Sequence, residues 1–331
     1  MKTIVHDTYG APEVLHFEDV ALPTPDADQI LVEVHAFPVT TADWRFRSST
    51  FPPAMWLVGR LMTGLLRPRV RLTGREFAGK VLAVGTNVTR FAVGDRVLGI
   101  HAGVSAERIA VAKDAPMVKI PSTLGYAEAA ALPFGAQAAL DFADRVAQVQ
   151  PGERVLIVGA SGGVGSYLVQ IAKHLGAHVT AVASTRNLEF LRELGADEVI
   201  DYTTTHPAET GQTWDVVFDV VGQAPFASYR RALGDKGRLV VIEGTLREML
   251  QSLTTRLFGG PRVLFDISSD STEGLTRVLQ LVARGGVRPV IGHRFAFEDT
   301  IDAHRLVDGR RRRGAVVVEV IEPAMDLAAA Q

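Results

Sequence analysis

Residues 155–165 read Val-Leu-Ile-Val-Gly-Ala-Ser-Gly-Gly-Val-Gly. Four apolar residues run straight into a turn made of Gly159, Ala160, Ser161, Gly162, Gly163, Val164 and Gly165. A helical pattern follows from Ser166 to Leu175 and stops at Gly176, and a second strand-like run spans His178 to Ser184. In such a turn the main chain can approach a phosphate closely. The helix behind it offers free N–H groups and the positive end of its dipole. The chemistry predicted is binding of a dinucleotide pyrophosphate. A tight turn that needs small residues only for packing is the alternative, and the strand–turn–helix–strand context weighs against it.

The end of the second strand identifies the nucleotide. A site for the ribose 2′-hydroxyl usually carries Asp or Glu there. Here the chain reads Ser184-Thr185-Arg186-Asn187, with no acid until Glu189. Arg186 has the charge and donor geometry for a 2′-phosphate, and Ser184 and Thr185 could donate to it. NADPH is therefore expected over NADH. Ligands of parallel sheets bind beyond the carboxyl ends of the strands, which brings Val221, Gly222, Glu243 and Gly244 to the same rim.

Positioning these residues takes a particular order of elements. Before Pro121, short β-rich runs alternate with glycine and proline turns, the pattern of a small barrel or sandwich. After it, strand candidates at 155–159, 178–184, 198–202, 215–221, 238–243 and 262–267 alternate with helical patterns, including 126–131 and 136–147. The expected fold is α/β: a Rossmann doubly wound parallel sheet plus a β-rich domain. The expected boundaries are 1–122 for the β-rich domain, with 288–331 returning to it, and 123–287 for the dinucleotide-binding domain. The cleft between them is the expected active site.

Composition excludes several classes. The 331 residues are 47% hydrophobic and 22% charged, the mix of an ordinary globular protein. A net charge of −2 gives no global attraction to nucleic acid or to an acidic membrane. With no cysteine there is neither a disulfide nor a thiolate nucleophile. No apolar run has membrane-spanning length, and the first residues lack the apolar core of a signal peptide. A cytoplasmic protein is expected.

Further motifs carry a resemblance. They are Tyr9-Gly-Ala-Pro-Glu-Val-Leu15, Asp43-Trp-Arg-Phe-Arg-Ser48, Gly74-Arg-Glu-Phe-Ala-Gly79, Val93-Gly-Asp-Arg-Val97, Pro151-Gly-Glu-Arg-Val-Leu156, the glycine turn, Leu194-Gly-Ala-Asp-Glu-Val-Ile-Asp-Tyr202, Phe218-Asp-Val-Val-Gly222 and Arg313-Gly-Ala-Val-Val317. Together they resemble the medium-chain dehydrogenase/reductase superfamily in its zinc-independent, quinone oxidoreductase-like branch. The resemblance implies a GroES-like catalytic domain, hydride transfer from NADPH and a homodimer. It also places Tyr202 beside the adenosine 2′-phosphate. Zinc-dependent members carry Gly-His-Glu where this chain has Gly74-Arg75-Glu76, and Thr40 stands where they place a cysteine ligand. Of the nine histidines only His174 and His178 stand in an HxxxH spacing, and the helix stop at Gly176 falls between them, so no such pair lies on one helix. No metal is expected.

Without a metal to polarise an alcohol, an activated acceptor is favoured: a quinone or an α,β-unsaturated carbonyl. Thr40 is the candidate donor to the developing oxyanion. Trp44, Phe46 and Tyr9 are candidate pocket walls for a flat acceptor, with core packing as the alternative. Asp43 has a structural role. Gln137 or Ala138 replaces the family's threonine near the nicotinamide. The apolar residues at 55, 58, 61, 62, 65 and 66 have helical spacing, and that helix is either a lid or a surface helix. Arg310 to Arg313 is expected to be a solvated turn rather than a nucleic-acid patch. The alternatives for function are a reductase or dehydrogenase of simple carbonyls and alcohols, and an NADPH-binding regulatory or scaffold protein.

Overall fold

A computed structural model describes residues 1–51, 56–257 and 259–321. Met55 and the last part of the closing segment, 322–331, lie outside the described residues.

The amino-terminal part is β-rich. It holds β1 (Lys2–His6), β2 (Leu15–Asp19), β3 (Gln29–Val39), β4 (Glu76–Val84), β5 (Arg96–Ile100), β6 (Arg108–Ala112) and β7 (Met117–Lys119). Helices α1 (Thr41–Ser48) and α2 (Trp56–Thr63) interrupt it between β3 and β4. β3 alternates buried and part-buried residues along most of its length, so one face is committed to the core. It pairs antiparallel with β4 and β6.

Helices α3 (Tyr126–Ala130) and α4 (Leu132–Leu140) lead into the second part, and a π-turn over Asp141–Val146 continues α4. Then strands and helices alternate: β8 (Arg154–Val158), α5 (Gly165–His174), β9 (His178–Ala183), α6 (Leu188–Glu193), β10 (Glu198–Asp201), β11 (Trp214–Asp219), α7 (Phe226–Tyr229), β12 (Leu233–Val241), α8 (Leu246–Thr254), β13 (Arg262–Phe265) and α9 (Thr272–Ala283). The six strands are parallel in the order β10-β9-β8-β11-β12-β13. This is the doubly wound order of a dinucleotide-binding sheet. Val155, Leu156 and Ile157 of β8 are fully buried, as a central parallel strand covered on both faces requires.

The chain then returns to the first sheet. β14 (Ile291–Ala296), α10 (Thr300–Asp308) and β15 (Ala315–Glu319) follow, and β15 pairs antiparallel with β3. The seven-stranded path is β14-β15-β3-β4-β5-β7, with β6 on β3. The largest core cluster crosses between the sheets, joining Ala36, Ala78 and Leu98 to Ile157, Tyr167 and Phe218. Tyr167 is fully buried in it. Its hydroxyl donates to the Ala131 carbonyl at 3.0 Å and accepts from the Val290 amide at 3.1 Å, tying α5 to both flanking segments. The Tyr167 hydroxyl, the Ala131 carbonyl and the Val290 amide are thereby paired.

Candidate functional site

The order of the parallel sheet reverses between β8 and β11, and a crevice opens at their carboxyl ends. The glycine turn lies there. Gly159 has φ +83°, and a Cβ on it would meet Val221 Cγ1 at 2.6 Å. Gly165 begins α5, and its Cβ would lie 2.3 Å from the Gly159 carbonyl oxygen. These two glycines answer to packing inside the protein. Gly162 and Gly163 do not. A Cβ on Gly162 would find nothing nearer than Gly159 O at 3.5 Å, and one on Gly163 nothing nearer than Gly314 O at 3.7 Å. Both line a cleft of about 490 Å³. The space above them could hold a pyrophosphate against main-chain N–H groups. Ala160 is buried beneath the turn, and the Ser161 hydroxyl accepts from Asn187.

The cleft runs between the two parts of the chain. Gly159, Val164, Val221, Glu243 and Gly244 line one side, and Thr41, Ala42, Arg45, Phe51, Arg75 and Glu76 line the other. Phe134, Phe142, Ile242 and Phe265 add apolar wall. Three ion pairs bridge it, Arg45 to Glu243 at 3.1 Å, Arg310 to Glu243 at 3.9 Å and Arg75 to Asp270 at 2.8 Å. Gly222 has φ +69° in the turn after β11, where the buried Asp219 carboxylate accepts from the amides of Val221, Gln223 and Ala224.

Ser184, Thr185, Arg186 and Tyr202 follow the ends of β9 and β10 at the carboxyl rim of the sheet, and none of them lines the cleft. Tyr202 is exposed. The four-arginine run also reaches this rim; Arg310, Arg311 and Arg313 are exposed, as a solvated turn requires, while Arg312 is half-buried. Arg186 donates to the Arg311 carbonyl at 2.8 Å, and Arg313 donates to the Arg186 carbonyl at 3.2 Å while stacking on Phe190. Arg310 lies over Trp44, 4.5 Å from its ring centre, and lines the cleft. Arg312 lines it too, donating to Thr41 Oγ1 at 2.5 Å, and burial pulls its pKa down to about 10. The run folds back across the rim after α10, a placement that local charge density does not encode. One acid stands there as well. Asp201 ends β10 and accepts from the Thr185 hydroxyl at 2.5 Å, a bond that holds its carboxyl below the usual range.

The chain matches the family model described as alcohol dehydrogenase GroES-like domain over residues 26–139, and the one described as zinc-binding dehydrogenase over residues 194–318. It is 30% identical over 333 residues to the chloroplastic quinone-oxidoreductase homolog of Spinacia oleracea, covering 96% of this chain and 98% of that protein. The chain belongs to the medium-chain dehydrogenase/reductase superfamily. It is an oxidoreductase of that superfamily. A second relative, the 2-methylene-furan-3-one reductase of Solanum lycopersicum, is 32% identical, over 97% of this chain and 79% of that protein. Among solved structures, the quinone oxidoreductase from Coxiella burnetii superposes with a TM-score of 0.85 at 28% identity, covering 97% of this chain and 99% of that one. The GroES-like domain and the Rossmann sheet anticipated from the sequence are the fold of this superfamily member. Among the described residues no helix is long and apolar enough to cross a membrane.

Against that family pattern, the donor candidate Thr40 and the wall candidates Tyr9, Trp44 and Phe46 require correction; Phe46 is exposed and does not line the cleft. Thr40 is the N-cap of α1: its hydroxyl donates to Asp43 Oδ2 at 2.7 Å, and the Thr40 amide reaches the same oxygen at 2.7 Å. This capping box uses the one proton the hydroxyl has to give. The Thr-x-x-Asp spacing was the signal for it. Tyr9 points elsewhere, its hydroxyl donating to Gly64 O at 2.8 Å with the Arg60 guanidinium over its ring. Trp44 packs against the β-rich core under Arg310 and does not line the cleft. Phe51, beyond the motif, is the aromatic that does. α2 rests on it at Gly59, whose Cβ position is 2.5 Å from the Phe51 ring, but no α2 residue lines the cleft or is buried. Ala138 lines the cleft, whereas buried Gln137 is tethered to Ser269 O at 2.6 Å.

Sequence reasoning missed Glu76 as a cleft residue, although the Gly-Arg-Glu motif contained it. Only 2% exposed, it lines the cleft, and its Oε2 has no hydrogen-bond partner among the described residues. Burial first, and the neighbouring Asp43 second, hold its carboxyl well above the usual range. No three of His, Cys, Asp and Glu come together as a metal site among the described residues. With Arg75 and a capping threonine in the ligand positions, this donor set does not fit zinc.

Proposed function

We propose that the protein is a zinc-independent, NADPH-dependent reductase of quinones or α,β-unsaturated carbonyls. The observation that carries this reading is the open space over Gly162 and Gly163 at the head of an apolar-walled cleft. The second glycine position of such turns exists so that the backbone can approach a pyrophosphate. A bound reduced nicotinamide supplies the hydride. The chain's own residues bind, orient and keep water out: Gly159 to Gly165 at the pyrophosphate, Val221, Gly222, Glu243 and Gly244 near the nicotinamide end, and Phe51, Phe134 and Phe265 around a flat acceptor. The domain limits that go with it are 1–122 with 288–331, and 123–287.

NADPH is favoured by charge. The Arg186 and Arg313 guanidinium groups stand at one rim with the Asp201 carboxylate, and Thr185 hydrogen-bonds that acid. A charge-assisted bond to a phosphate is worth about 1.5–3 kcal/mol. Arg186→Ala is therefore expected to weaken NADPH binding roughly 10- to 100-fold and to leave NADH binding nearly unchanged, measured by cofactor fluorescence. Equal losses for both cofactors would reject the 2′-phosphate role.

The assembly that fits is a homodimer. β13 is an edge of the parallel sheet, and α8 beside it exposes Leu246, Met249, Leu250 and Leu253. Pairing of residues 262–267 with a second copy would cover both. A solution mass of a single 35.7 kDa chain would count against it.

The test of function follows absorbance loss from NADPH and NADH against a panel of quinones, enones, aldehydes and ketones, with a chelator present. The expected result is turnover of quinones or enones with NADPH, insensitive to chelator. NADPH binding without turnover of any acceptor would favour the regulatory reading, and preference for simple ketones the carbonyl reductase.

A further inference from the structure

When the β-carbon of a conjugated carbonyl gains a hydride, the π electrons move onto the carbonyl oxygen. That oxygen then needs a donor already in position. Thr40 does not serve, because its hydroxyl donates to Asp43. Four arginines line the cleft and all four have protein partners; Arg75 is the one whose acid, Asp270, is 42% exposed, against 22% for Glu243. Arg45 and Arg310 face Glu243, and Arg312 donates to Thr41 and to the Val307 carbonyl. Arg75 makes one side-chain hydrogen bond among the described residues, from Nη2 to Asp270 Oδ2 at 2.8 Å.

We propose that Arg75 is the oxyanion-holding catalytic residue of this cleft, and that it fits the site to α,β-unsaturated carbonyls as the acceptor class. The inference rests on the reading of the cleft as an acceptor site. Asp270 marks the position: an anionic oxygen already lies in hydrogen-bond contact with the guanidinium at the cleft wall, and the acceptor oxygen exchanges with it. The exchange is inexpensive because both side chains are substantially exposed, 38% for Arg75 and 42% for Asp270, and such a pair is weak. Glu76 beside it is buried, and burial holds its carboxyl well above the usual carboxylate range. A guanidinium stays charged at any working pH and offers a planar fork of donors.

The step balances. A C–H bond of a bound reduced nicotinamide would break, its electron pair forming one C–H bond at the β-carbon and leaving the cofactor oxidised, while the C=C π pair becomes the enolate double bond and the C=O π pair moves onto the oxygen held by Arg75. The α-carbon then takes a proton from water, leaving the saturated carbonyl. A quinone spreads the same charge into an aromatic product and depends less on one donor. Arg75 therefore matters most for the less activated enone.

The experiment compares wild type, R75Q, R75K and D270N with cyclohexenone and with benzoquinone, while NADPH affinity is followed by fluorescence. For R75Q, kcat/KM for cyclohexenone is expected to fall on the order of 10²–10³-fold, the cost of one oxyanion donor. For benzoquinone the fall should be less than about tenfold, with NADPH affinity unchanged. R75K should recover part of the loss, and D270N should lower KM for cyclohexenone by freeing the guanidinium. Similar losses for R75Q and D270N, or for both acceptors, would make the pair merely structural and overturn the proposal. Wild-type turnover of benzoquinone alone would overturn it while leaving the reductase reading intact. Turnover of neither acceptor would overturn both.

Discussion

Gly163→Val is expected to give a protein that folds as the wild type does and no longer binds NADPH. Gly163 does not occupy the positive-φ region, and the nearest atom to its Cβ position is Gly314 O at 3.7 Å. The folded chain therefore has room for a β-carbon there. The room it takes is the space over the turn, where the pyrophosphate would lie against the main chain. A loss of 100-fold or more in NADPH affinity, about 2.7 kcal/mol, is the expected size. Thermal melting should be unchanged within a few degrees. Gly165→Ala is the control with the opposite outcome. Its Cβ would lie 2.3 Å from Gly159 O and 2.7 Å from Ala160 Cα, so the turn itself must shift and the melting temperature falls. Fluorescence titration and circular dichroism separate the two. Wild-type NADPH affinity in Gly163→Val would mean that the phosphates lie elsewhere.

The second large effect concerns stability. Arg47 is 1% exposed on α1, and its Nη2 donates to both carboxylate oxygens of Asp308 on α10, at 2.6 and 2.7 Å. Its Nη1 donates to the Gly10 carbonyl at 2.9 Å. One guanidinium thus fastens α1 to α10 and to the loop after β1. Arg47→Met removes the cation and leaves the carboxylate and the carbonyl without their donor. Breaking a buried pair this way costs about 3–5 kcal/mol. Asp308 keeps 23% of its side chain exposed, which favours the lower end of that range. Denaturant titration measures it, and an effect below about 1 kcal/mol would reduce Arg47 to a surface pair.

The same cation shapes the pH profile. His6 and His304 are buried, and burial first, with Arg47 next, lowers their pKa values to about 4 and about 3 from 6.5. Above pH 6.5 both imidazoles are neutral in the folded and unfolded states, and stability is full. As the pH falls from 6.5 towards 4 the unfolded chain takes up protons that the folded chain refuses, so stability drops. In Arg47→Met the repulsion is gone and this drop should be shallower.

The sequence by itself determined the features written in short spacings. The run from Val155 to Gly176 is strand, glycine turn and helix because apolar residues, small residues and a stop glycine follow one another within single elements. The alternation of strands and helices after Pro121 implied the doubly wound sheet, since parallel strands need crossovers between them. The absence of cysteine, with Arg75 in the histidine position, was visible without any fold. Even the capture of the Thr40 hydroxyl was legible in the Thr-x-x-Asp spacing of a capping box.

Tertiary structure alone decided which distant residues meet. Arg186 and Arg311 are 125 positions apart and share a hydrogen bond, and Arg75 finds Asp270 across 195 positions. The Glu76 carboxyl was raised well above the usual range only when packing buried it beside Asp43. Tyr9 turned from the cleft because its hydroxyl met the Gly64 carbonyl, 55 residues on. Local spacing sets backbone geometry through contacts a few residues long. The environment of a side chain, its charge state and its free donors depend on whatever the completed fold brings against it.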